Sequence, residues 1–81
     1  MPVEGAIEDG VSREKRITEM KLEKIEDQIS AFEKENDMTS EKFREEFEKG
    51  NLGDNKELMK WDMLLDAKEE LEAKKKELSR F

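Results

Sequence analysis

The chain reads as all-α, two long antiparallel helices joined by a short one, and three observations predict this. Two stretches of more than twenty residues lack Gly and Pro and are rich in Glu and Lys, straight-chain residues that lose little on entering a helix. Apolar residues in both recur at three- and four-residue spacings. Between them lie a cluster of turn formers, Asn36 to Ser40, and a glycine pair, Gly50 and Gly53, where a helix stops at little steric cost.

Residues 1–11 hold the only Pro and two of the four Gly, and are expected to be a flexible tail ahead of a single helical domain over 12–81. Ser12 is the expected N-cap of the first long helix. Along it Leu22, Ile25, Ile29 and Phe32 fall in one stripe, with Val11 upstream, while Ile17 and Met20 fall off it. The break at 36–40 follows because Asn, Asp, Thr and Ser compete with the helix for backbone hydrogen bonds. Thr39 or Ser40 then caps a short helix over 41–49 with Phe43 and Phe47 on one face, and Gly50 ends it in the left-handed conformation.

Gly50-Asn51-Leu52-Gly53 forms a tight connector with Leu52 as its buried candidate. Asp54 and Glu57 have capping-box spacing, which predicts a third helix over 55–79, about 38 Å long. That helix carries two apolar seams. Leu58, Trp61 and Leu65 make the first; Leu64, Ala67, Leu71 and Leu78 make a second, rotated to one side. The second seam serves either a wide stripe touching two neighbouring helices or a contact with another chain. Phe32, Met38, Phe43, Phe47, Leu52, Leu58 and Trp61 are expected to cluster at the connecting end. Lys60 and Lys74 interrupt the second seam, so a long continuous coiled coil is not expected.

Composition narrows the function. Only 33% of the 81 residues are apolar, too few for a deep core, so association into a dimeric bundle, or with another protein, is expected. There is no Cys and no His, which removes the usual metal ligands and the commonest general base. No cofactor, no metal and no catalytic residue is predicted, and the reading is non-enzymatic. A net charge of −7 disfavours nucleic acid, whose phosphates require clustered Lys and Arg. No run approaches the roughly 20 apolar residues of a membrane span, and the N-terminus lacks a signal-peptide pattern. The expected location is the cytoplasm.

Thr39-Ser40-Glu41-Lys42-Phe43, Phe47, Gly50-Asn51-Leu52-Gly53-Asp54 and then Trp61 and Leu64 form the most individual stretch. It resembles small bacterial and archaeal antitoxin components of toxin–antitoxin pairs, which share F-x3-F-x2-G-x-L-G-D followed by Trp and Leu. The likeness spans about a third of the chain, and departs where Leu58-Met59-Lys60 stands for the family's Phe-Phe-Glu or similar. The resemblance implies an acidic helical neutraliser wrapped on a basic toxin-like protein, without a DNA-reading module. The alternative from the residues alone is a self-associating homodimeric scaffold. Interaction is assigned to Ile17, Met20, Met63, Leu64, Ala67, Leu71 and Leu78. Structural roles go to Phe43, Phe47, Gly50, Leu52, Gly53, Asp54 and Trp61, with Asp54 as the cap.

Overall fold

The computed structural model describes residues 3–80, with side chains from Gly10 onward. Three helices follow one another: α1 (Val3–Asn36), α2 (Ser40–Glu48) and α3 (Lys56–Leu78). Phe32 stacks on Trp61 at the connecting end, and Glu14 meets Lys74 near the other, so α1 and α3 run antiparallel. The molecule is 57 Å long and about 20 Å across. At 1.5 Å per residue α3 covers only about 35 Å of that length, and the N-terminal part of α1 runs on past its end.

The first helix starts at Val3 rather than at Ser12, which lies inside it. The reason is cooperative. Gly5 and Gly10 each cost about 1 kcal/mol relative to Ala, but neither blocks the hydrogen-bond ladder, and extending an existing helix needs no new nucleus. Of the tail expected over 1–11, Met1 and Pro2 lie outside the described residues. From residue 11 the buried or half-buried positions of α1 are Val11, Lys15, Thr18, Leu22, Ile25, Ile29, Phe32 and Glu33. The first seven alternate four and three apart, the seam of a coiled-coil pair. Leu58, Trp61, Leu65 and Lys68 supply the matching seam on α3.

Each stop is built from backbone chemistry. Asp37 takes the left-handed conformation, φ 48°, and lets the Asp37 and Met38 amides bond back to the Lys34 and Glu33 carbonyls. Gly50 repeats the arrangement at φ 76°, with Gly50 and Asn51 bonding to Phe47 and Glu46. Both are Schellman motifs, which absorb carbonyls that the helix end leaves free. Thr39 caps α2, its Oγ1 accepting the Lys42 amide at 3.2 Å. Ser40 is thereby free to accept the Trp61 indole N–H at 3.1 Å, while its own amide bonds to the Glu33 carboxylate at 2.8 Å.

The cap of α3 is a correction. Asn55, not Asp54, is the N-cap: its side chain accepts the Glu57 amide at 2.8 Å. Gly53 spends the left-handed turn at φ 73°, so the chain is extended at Asn55 and turns helical one residue later than the capping-box spacing suggests. Glu57 then sits at the second helical position, too early to close a box.

The core lies at the connecting end. Trp61 and Phe43 are fully buried. The indole is sandwiched between Phe32 (centroids 5.7 Å apart) and Phe43 (3.9 Å), and Phe43 continues the stack to Phe47 at 5.2 Å. Ile29 and Leu65 complete the buried cluster, with Met38, Leu52, Leu58 and Leu64 packed against it. Every residue expected there from the sequence is in it. Among the described residues no helix is long and apolar enough to cross a membrane.

Candidate interaction face

The short helix divides the hairpin into two unlike flanks. Arg44 of α2 decides which side of α3 it covers. Its guanidinium bonds to Glu69 at 3.0 Å, to the Asp62 carbonyl at 3.3 Å and to Asp66, with the Asp62 carboxylate 3.4 Å from Nε. Partial burial works against the charge, but the hydrogen bond it donates to Asp66 and the three carboxylates outweigh that and hold the guanidinium pKa above its usual value. Asp62, Asp66 and Glu69 stand at i, i+4 and i+7, one ladder on one flank of α3. The facing flank of α1 carries Glu19, Glu26 and Glu33, seven residues apart. Glu33 reaches α2 at Ser40, and Glu26 shares a surface groove with Leu22, Glu72 and Lys76. This flank is acidic and partly roofed by α2.

The other flank has no helix over it among the described residues. Leu64, Leu71 and Leu78, again seven apart, line it on α3, with Ala67 between them; all four are half-buried. On α1 it carries Glu14, Lys21, Gln28 and Glu35, with Ile17, Lys24 and Ala31 in the adjoining row. Two contacts fix this alignment. Gln28, Ala31, Phe32 and Glu35 share one groove with Glu57 and Lys60, and Glu14 binds Lys74 at 3.1 Å. Ile17 lies one turn from Glu14, and Leu71 and Leu78 lie one turn either side of Lys74, so the three apolar side chains surround that ion pair.

Of the seven residues expected to interact, five therefore share the open flank: Ile17, Leu64, Ala67, Leu71 and Leu78. Met20 and Met63 do not join them. Each sits two residues from buried neighbours on both sides, on the outer ridge of its helix, and they are 63% and 68% exposed. Leu64 has a double role, since it also packs against the aromatic core.

Two residues went unnoticed in the sequence. Thr18 is 1% exposed and donates its hydroxyl to the Glu14 carbonyl at 2.7 Å; it belongs to the seam, as its place between Val11 and Ile25 at seven-residue intervals indicates. Arg44 was hidden as one charge among many, although the ladder of Asp62, Asp66 and Glu69 marks where a cation should sit.

The flanks differ in charge as well as cover. The open one carries Lys21, Lys24, Lys60 and Lys74 against Glu14, Glu35 and Glu57, close to balance. The roofed one sets Glu19, Glu26, Glu33, Asp62, Asp66, Glu69 and Glu72 against Arg44, Lys68, Lys75 and Lys76, and so is net acidic. Compared with protein families, characterised proteins and solved structures, the chain matches none.

Proposed function

We propose that this chain is a non-catalytic protein-binding module, and that it binds through the open flank of its hairpin. One observation carries the reading: the leucine row Leu64, Leu71 and Leu78 is only half-buried by α1, on a face rimmed by Lys and Glu. A helix needs one apolar stripe to pack on a single neighbour; a second stripe on the same helix fits a second neighbour. An apolar strip with a charged rim is also the anatomy of protein interfaces, whose centre excludes water while the edge stays polar.

A second reading, the antitoxin-like one implied by the resemblance, draws on a different observation. The carboxylates of α1 and α3 on the α2 flank form a dense negative field suited to attracting a basic protein. The two readings place the binding energy on opposite flanks, so one experiment separates them. Tagged chain is extracted from its native cells and its complexes are sized, as wild type, Leu71→Glu and Asp66→Lys. Under the main reading the wild type runs well above its own mass, Leu71→Glu abolishes this with helicity retained, and Asp66→Lys leaves it intact. Loss with Asp66→Lys alone supports the basic-partner reading. A chain that runs at its own mass in all three forms overturns both.

A further inference from the structure

We propose, building on the open-flank reading, that the partner on this face is a second copy of the chain, and that two hairpins close into a four-helix bundle with both α2 helices on the outside. The first argument is area. A compact monomer of 9.6 kDa exposes about 5,100 Å² by the usual mass scaling, whereas this chain exposes 6492 Å². The excess is more than a quarter, shared between the uncovered flank and the stretch of α1 that runs on past α3. The open flank is two helices wide, about 20 Å at roughly 10 Å per helix, and about 35 Å long by the length of α3, on the order of 700 Å² per copy, close to the roughly 800 Å² that each partner of a standard stable interface buries.

Charge supplies the second argument. Two acidic flanks repel each other, and a strongly basic partner is drawn to them and away from the leucines. The open flank mixes Lys and Glu nearly evenly, so two copies meet there with opposite charges available to each other and little net repulsion. Length supplies the third. The leucine row repeats every seven residues over the C-terminal two-thirds of α3, and a second α1–α3 pair presents the same row over the same distance. Closed symmetric pairing, in which one patch serves both subunits, is the commonest form of soluble oligomer.

The test uses purified chain alone, by sedimentation equilibrium from about 1 to 200 µM, beside circular dichroism. Twice the chain mass is expected, with a dissociation constant raised at least about 100-fold by Leu71→Glu and little changed by Met63→Glu on the outer ridge. Should Leu71→Glu lose its helicity, Ala67→Glu takes its place, since only a methyl is replaced there. Wild type that stays monomeric and helical at 200 µM overturns the proposal, and so does a dimer indifferent to both open-flank substitutions. A monomer in isolation that still forms Leu71-dependent complexes in native extracts leaves the protein-binding reading standing and removes only the second copy.

Discussion

Three residues with left-handed backbone set where the hairpin turns, and two of them, Gly50 and Asp37, differ in how well they suit it. Gly50 meets φ 76° with no Cβ to accommodate, whereas Asp37 holds φ 48° with a side chain. An L-residue in that region costs about 1–2 kcal/mol. Space around Gly50 is open, so Gly50→Ala tests the dihedral alone: a loss of about 1 kcal/mol is expected in urea unfolding followed by circular dichroism. Asp37→Gly relieves the same strain at the end of α1 and should gain about 0.5–1 kcal/mol. Equal and opposite signs at these two positions support the Schellman account; a loss at both removes it. The aromatic stack shows the same economy at this scale. Trp61 stacks on both faces, and its single polar atom is satisfied by Ser40, so the largest side chain is buried with no unpaired donor.

Among the elements, α2 is the one held by few contacts. Nine residues make too short a helix to persist alone, and it is kept in place by Phe43 beneath and Arg44 at the side. Arg44→Gln removes the charge while keeping part of the stem. A guanidinium bonded to carboxylates contributes roughly 1.5–3 kcal/mol, reduced at this partly exposed site, so a loss of about 1–2 kcal/mol is expected. It should show as faster amide exchange confined to α2, with α1 and α3 unchanged; exchange that speeds up uniformly would mean that α2 is no separate unit.

The C-terminal end of α2 has its own clasp, in which Glu46 accepts from Asn51 at 2.7 Å and from Lys42 at 3.1 Å. These two bonds, Asn51 first, hold the Glu46 pKa below the ordinary glutamate value. A depressed carboxylate stabilises the fold above its unfolded pKa and loses that contribution as pH falls through the folded one. The hydrogen bond to Glu46, with the Glu46 and Glu45 charges, raises Lys42, which therefore keeps its contribution up to strongly basic pH. The Asn51 side-chain amide, followed by NMR, should titrate once, on the acid side below the free glutamate midpoint. A transition at or above that midpoint would falsify the clasp.

For the whole molecule, the decisive property is that a hairpin gives each helix one neighbour and leaves a flank of each uncovered. α2 covers one side of this hairpin and not the other. If the second copy occupies the open side, the melting temperature rises with protein concentration, because the dimer is the folded state, and Leu71→Glu makes it independent of concentration. In such a bundle the outer surfaces would carry the acid, which would keep further copies apart.

The sequence alone determined the three helices, their order and the membership of the core, because these rest on local propensity and on the seven-residue recurrence of apolar residues, both readable from neighbours along the chain. It also reached the second apolar seam of α3. Helix starts were less legible: α1 begins at Val3 because cooperative extension outweighs two glycines, and α3 is capped by Asn55 because Gly53 displaces the turn by one residue. Which flank α2 would cover was decided only by tertiary structure. A periodic pattern fixes the faces of each helix separately, and the ladder of Asp62, Asp66 and Glu69 marks a place for a cation, but which of the chain's many cations fills it is a long-range pairing, settled by Arg44 across about twenty residues of chain. That one placement roofs the acidic flank and leaves the face of the leucine row open, whereas Met20 and Met63 stand apart from that row by their position on the outer ridges of α1 and α3.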